Sequence, residues 1–190
     1  MKVLVVYAST DGHSRKIARS VTGQIADSGH AVEMLPAVDS EGVDIGQYDR
    51  VALIGSLHGG HYQRHLSDFA ADNSDALNEL NSIFLSVSLT AAGHDADDWT
   101  GLEKVLSEFI DATGWKPTDV LQVAGAYVPS KYDIFRRFVM RRIIAAKDPD
   151  ANLDQDKEYT DWLALHEFID TWLASTRLTS APIKQLVAAP

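Results

Sequence analysis

MKVLVVYASTDGHSRKIAR, residues Met1 to Arg19, is the stretch from which the rest of the chain is read. Lys2 to Ala8 is a short apolar run rich in β-branched residues, the composition of a buried strand. It stops at Ser9-Thr10-Asp11-Gly12-His13-Ser14. Ile17, Ala18, Val21 and Ile25 then recur at helical spacing, so the helix runs from about Ser14 to Ser28 and stops at Gly29. A turn of small hydroxyl residues between a strand and a helix start aims amide and hydroxyl donors at one point, at the positive end of a helix dipole. Such a turn holds a phosphate without needing a lysine.

The same alternation continues downstream. Strands are expected at His30–Leu35, Arg50–Gly55, Ser82–Leu89 and Asp119–Ala124. Helical spacing appears at Leu66, Phe69, Ala70 and Leu77, with Asn73-Ser74 as an interruption, and again at Leu102, Val105, Leu106, Phe109 and Ile110. A last helix is expected over Asp161–Ser175, with Thr160 as its N-cap and Trp162, Leu165, Ile169 and Trp172 on one stripe. Strands alternating with helices imply a doubly wound, five-stranded parallel α/β sheet with helices on both faces. Ligands of such sheets sit at the carboxyl ends of the strands. Three loops fall there: Ser9–Ser14, Ser56–Tyr62 and Ser88–Trp99. The expected organisation is one domain over residues 1–176, an insertion after strand five at about 125–156, and a tail over 177–190 in which Ile183, Leu186 and Val187 dock.

Composition narrows the chemistry. The chain has no cysteine, which excludes thiolate catalysis and Cys-ligated zinc or iron–sulfur centres. No apolar run approaches a membrane span, and the start does not resemble a signal peptide, so a cytoplasmic protein is expected. The net charge is −10, yet Lys131, Arg136, Arg137, Arg141, Arg142 and Lys147 crowd one segment beside a single acid, Asp133. A basic island on an acidic chain implies a local anionic partner and argues against nucleic acid. His58, His61 and His65 lack the further ligand that a metal site needs, so no metal is expected.

The first loop lacks GxGxxG and the GxxxxGK lysine, which disfavours a dinucleotide site and a nucleotide triphosphatase. A monophosphate held by neutral donors suits FMN. The turn resembles the flavodoxin phosphate loop, T/S-x-T-G-x-T, in Ser9, Gly12 and Ser14, with Asp11 standing where that pattern has a hydroxyl. Thr10 and His13 complete the expected cradle. In the second loop Ser56, Leu57, His58, Gly59, Gly60, His61 and Tyr62 are expected at the flavin: the glycines admit a planar ring, and Tyr62 or His61 stacks on it. Ser88, Leu89 and Thr90 are expected to meet the isoalloxazine edge. His58 and His61 are candidates for proton handling.

Beyond strand five the chain reads VAGAYVPSKYDIFRRFVMRRIIAAK, followed by YTDW. With SVSL at Ser86–Leu89, Trp115-Lys116-Pro117, Asp11-Gly12 and Gly60-His61-Tyr62, these segments resemble the flavodoxin-like, menaquinone-dependent protoporphyrinogen IX dehydrogenases. The resemblance covers Lys2 to about Trp172. It implies an FMN-dependent oxidoreductase of heme biosynthesis that oxidises protoporphyrinogen IX with menaquinone or another quinone as acceptor. On that resemblance Tyr132, Arg136, Arg137, Arg141 and Arg142 are expected to meet the porphyrin propionates or an anionic membrane, at the inner face of the cell membrane. Two family features differ here: His58 and Gly59 replace a basic and an aromatic residue, and the third loop is acidic at Asp95, Asp97 and Asp98. An FMN electron carrier, a quinone reductase without a porphyrin site, or a cofactor-free membrane-recruited module are the alternatives. A homo-oligomer is compatible with all of these.

Overall fold

The computed structural model describes residues 1–93, 95–132 and 134–176; for residues 134–136, 139, 146 and 147 it describes backbone only. The expected docking residues Ile183, Leu186 and Val187, and the side chain of Arg136, therefore lie outside the described residues.

Five strands form one parallel sheet: β1 (Lys2–Tyr7), β2 (Ala31–Pro36), β3 (Arg50–Ser56), β4 (Asn81–Ser88) and β5 (Asp119–Ala124). Their order is β2-β1-β3-β4-β5, the flavodoxin order, with its switch point between β1 and β3. The three central strands are buried along almost their whole length, which is why they read as continuous apolar runs. Edge strand β2 instead alternates between exposed and half-buried residues, and its Pro36 ends the pairing at Tyr7.

Each sheet face is covered by its own helices. Helices α1 (His13–Asp27) and α6 (Trp162–Ala174) pack Ile17, Val21, Ile25, Leu165, Ile169 and Trp172 onto Val3, Val5, Ile54 and Leu85. On the other face α2 (Arg64–Asp72), α3 (Ser74–Glu79) and α4 (Ala96–Thr113) cover Leu4, Val6, Leu53 and Phe84 with Leu66, Phe69, Leu77, Leu106 and Phe109. Burying each such side chain contributes about 1.5–3 kcal/mol. The approach of α2 is close: a Cβ on Gly55 would crowd the buried Leu66 side chain, which would have to shift.

Two helix starts differ from the sequence expectation, and strand ends shift by a residue. Helix α4 starts at Ala96 rather than after Trp99, because the Asp95 carboxylate accepts from the amides of Asp97 and Asp98 and caps it. Helix α6 is capped by Asp161, whose side chain accepts from Ala164 N–H at 2.9 Å; Thr160 is engaged elsewhere.

The segment after β5 folds back on the sheet's carboxyl edge. A two-stranded antiparallel ribbon, β6 (Ala126–Tyr127) with β7 (Lys157–Glu158), brackets helix α5 (Ile134–Lys147). Tyr127 is buried and donates to Leu153 O at 2.9 Å, while Tyr159 N–H donates to Gly125 O at 3.0 Å. This ribbon holds α5 over the ends of β1, β3, β4 and β5.

Candidate functional site

A cavity of about 380 Å³ opens at the carboxyl ends of the strands. Ser9, Thr10, Asp11, His13, Ser14, Ser56, Leu57, His58, Gly59, Gly60, Ser88, Leu89 and Thr90 line it, so the topology brings all three expected loops to one place. Tyr132, Met140 and Ile143 close it from the inserted segment.

The first loop is built as an anion cradle. Gly12 takes a left-handed conformation (φ 92°) as the N-cap of α1. The amides of His13, Ser14 and Arg15, in the helix's first turn, have no intrahelical acceptor. Ser9 Oγ accepts the Gly12 N–H at 3.0 Å, and Thr10 Oγ1 accepts from Gln63 Nε2 at 3.2 Å. Accepting leaves each hydroxyl proton free to be donated. Ser14 Oγ is buried and has no hydrogen-bond partner among the described residues. A buried hydroxyl normally finds a partner, and an orphan costs about 1–3 kcal/mol. A phosphate in this cradle would be that partner, so the residues present fit the phosphate of FMN.

The second loop is a two-residue hairpin. His58 and His61 exchange both backbone hydrogen bonds, at 2.9 and 3.1 Å, around Gly59 (φ 58°) and Gly60 (φ 83°). Two successive positive φ values are what such a turn demands, and this fixes both glycines. The turn leaves His58 in the cavity, its Nε2 3.1 Å from Ser56 Oγ. His61 is exposed outside it. The expectation that Tyr62 or His61 stacks on the flavin is corrected. Tyr62 is buried, its OH bonded to Ser86 Oγ at 2.8 Å and its ring 5.0 Å from Phe84 and 4.8 Å from Phe109, centroid to centroid. Burial pushes its hydroxyl pKa up to about 12. It belongs to the core because the hairpin reverses the chain before α2, turning position 62 inward. Gly12 lies at the rim of an adjoining smaller cavity.

Gln63 is a residue that the sequence reading missed. Its side chain donates to Thr10 Oγ1 and Ser56 Oγ, and its Oε1 accepts the Ser56 N–H at 3.2 Å. One amide thus ties the first loop to the second. No motif marks it; only the packing of α2 beneath Gly55 brings it there. Ser88 is fixed likewise, its Oγ accepting Ala91 N–H at 3.1 Å and its carbonyl accepting Gly125 N–H at 2.9 Å.

His13 faces away from the hydroxyls. Its Nε2 lies 2.8 Å from Thr160 Oγ1, and that hydroxyl donates to Ala124 O at 2.6 Å. With its one proton spent, Thr160 accepts, so Nε2 carries the imidazole proton. Burial lowers the His13 pKa, against the opposing pull of Glu158, whose carboxylate is 3.8 Å from Nδ1. Burial pushes Glu158 up, but hydrogen bonds from Lys16 and Trp162 together with nearby positive charge outweigh it and leave its pKa lowered.

On α5 the arginines divide. Arg137 and Arg141 reach Asp154 at 3.4 and 2.6 Å, an acid supplied by the same insertion. Both contacts are solvent-exposed, and each uses a single guanidinium nitrogen. Arg142 is exposed, as are Phe138 (62%) and Ile143 (38%). Among the described residues no three His, Cys, Asp or Glu groups cluster as a metal site, and no helix is long and apolar enough to cross a membrane.

Comparisons with known proteins agree with this fold. The family described as "Flavodoxin domain" matches residues 4–154. A protoporphyrinogen IX dehydrogenase (quinone) from Leishmania major is 26% identical over 174 residues, 91% of this chain and 75% of that protein. The enzyme of the same name from Escherichia coli strain K12 is 25% identical over 168 residues, 88% of this chain and 92% of that one. The crystal structure of oxidised Flavodoxin 1 from Bacillus cereus superposes with a TM-score of 0.53 at 16% identity, covering 93% of this chain and all of that one, a likeness of fold.

Proposed function

The chain belongs to the flavodoxin domain family and binds FMN, and from that premise we propose that it oxidises protoporphyrinogen IX to protoporphyrin IX with a quinone, such as menaquinone, as acceptor. The observation that carries this reading is the placement of α5. The inserted segment puts Tyr132, Met140 and Ile143 into the wall of the same cavity that the phosphate loop opens. An electron carrier needs only an exposed flavin edge; a substrate enzyme needs a second wall. The two relatives named protoporphyrinogen IX dehydrogenase, each matched over most of this chain, support the same reading.

Held by this loop, FMN would supply a two-electron acceptor, so three cycles with three quinones would account for the six electrons and six protons that the porphyrinogen loses. The chain's own residues bind and orient. The hydroxyls of Ser9, Thr10 and Ser14 hold the phosphate end. Leu57, Leu89, Met140 and Ile143 give an apolar slot for flat, apolar rings. Arg137, Arg141 and Arg142 offer guanidinium groups from α5 to an anionic partner such as a propionate, the first two also touching Asp154 through one nitrogen each. His58, in the cavity and hydrogen-bonded to Ser56 Oγ, is the side chain positioned to accept protons that leave the porphyrinogen.

Both porphyrinogen and quinone partition into lipid, and α5 offers a means of reaching them. Phe138 stands exposed beside Arg142, an apolar and a basic side chain such as a helix on an anionic membrane surface presents. We accordingly place the protein at the cytoplasmic face of the cell membrane.

The test is to load the purified protein with FMN and supply protoporphyrinogen IX with a menaquinone analogue under anaerobic conditions. Porphyrin fluorescence rising in proportion to enzyme and quinone is expected. Fluorescence no faster than the protein-free control sinks the porphyrin assignment, while FMN binding, measured separately, stands or falls by itself.

A further inference from the structure

The phosphate loop Ser9–Ser14 offers hydroxyls and amides but neither lysine nor arginine, and it carries an acid, Asp11. The structure supplies a cation from elsewhere. Lys131, at the start of the inserted segment, reaches back 120 residues in sequence and donates from Nζ to Asp11 O at 2.7 Å. The same Nζ lies 3.3 Å from the point where a Cβ on Gly12 would stand. The ammonium is therefore packed against the backbone of the loop's two central residues, at the N-terminus of α1.

Its neighbours cannot take that part. Lys16, on the first helix, is paired with Glu158 at 2.6 Å, and Lys157 with Asp148 at 2.5 Å. Each spends its charge on a carboxylate. Lys131 bonds a neutral carbonyl, and that bond leaves two of its three N–H donors unspent. Asp156, on the rim of the same small cavity, is engaged by Ser130 through N–H at 3.2 Å and Oγ at 2.7 Å.

We propose that Lys131 is the charge partner of the FMN phosphate, so that loading the cofactor and docking the segment after β5 are one event. The proposal rests on the FMN assignment and adds a residue outside the phosphate loop.

The test separates phosphate from ring. Affinities of the apoprotein for FMN and for riboflavin, which lacks the phosphate, are measured by quenching of flavin fluorescence for the wild type, Lys131→Gln and Lys131→Arg. Lys131→Gln is expected to weaken FMN about tenfold, the range of a hydrogen bond to a charged group, and to leave riboflavin within about twofold. Lys131→Arg keeps most of the FMN affinity, and the salt dependence of FMN binding flattens in Lys131→Gln. Equal losses for both ligands would mean that Lys131 merely holds the fold, and an unchanged FMN affinity would mean that it bears no charge role; either overturns the proposal. A wild type that takes up riboflavin but gains nothing from the phosphate overturns the phosphate-cradle reading as well.

Discussion

Thr160 Oγ1 stands 2.8 Å from His13 Nε2, joining the segment after the insertion to the first turn of α1 across 147 positions of sequence. Because Thr160 also donates to Ala124 O at 2.6 Å, one hydroxyl ties the end of β5, the start of α6 and the phosphate loop together. Thr160→Val removes both bonds and keeps the shape. It should cost about 1–3 kcal/mol of stability in urea titrations and weaken FMN binding through a displaced His13. A stability within about 0.3 kcal/mol of wild type counts against the latch.

The lowered pKa of His13 makes a pH prediction for the apoprotein. The unfolded chain takes up a proton near pH 6.5, whereas the native ring resists it, so the unfolded state binds more protons just below that pH. Stability therefore falls as pH drops from 6.5 toward the native pKa and levels off once both states are protonated. His13→Gln should show a shallower decline in that window, in chemical denaturation at a series of pH values. Parallel curves for variant and wild type would show that His13 does not set the slope.

Ser14→Ala separates function from stability at one atom. In the apoprotein its hydroxyl is an orphan, so the variant should be as stable as wild type or more stable by about 1 kcal/mol. FMN affinity should fall about tenfold while riboflavin affinity holds. A variant that loses stability but not FMN affinity would show that the hydroxyl serves the fold.

Gln63→Ala unties the two loops. The Ser56 N–H loses its acceptor and Thr10 its donor, at a cost of about 1–3 kcal/mol. FMN and riboflavin should both bind less tightly, because both loops shift, in contrast to the phosphate-selective effect expected of Ser14→Ala. Unchanged titrations with either flavin would remove Gln63 from the site.

Phe138→Ser and Arg142→Gln probe the exposed side of α5. Co-flotation with vesicles containing phosphatidylglycerol should drop about tenfold for Phe138→Ser, from lost apolar burial, and several-fold for Arg142→Gln. Neutral phosphatidylcholine vesicles should recover little protein. Equal recovery on both vesicle types, or none on either, argues against an anionic membrane as the partner.

How much of this was legible beforehand follows from where each signal resides. The five-stranded parallel sheet, its strand positions and the phosphate turn are local matters. A β-branched run such as Val3 to Val6 followed by small polar residues and a helical stripe carries its instructions within a few residues. The basic segment from Lys131 to Lys147 was visible as composition, though not as a set of partners. The rest depended on contacts between residues far apart in the chain. Tyr62 looked like a flavin-stacking ring until the Gly59-Gly60 hairpin turned it into the core beside Phe84. Arg137 and Arg141 were legible as basic residues, but not their contacts with Asp154 in the connection between α5 and β7. Gln63, Thr160 and Lys131 acquired their roles only because the sheet order and the β6–β7 ribbon carry them to loops encoded tens to more than a hundred residues away. Sequence alone determined the layers and the cradle, since periodicity and turn chemistry act locally. Tertiary structure decided which residues hold the cradle in place, since that is settled by whatever the fold packs beside it.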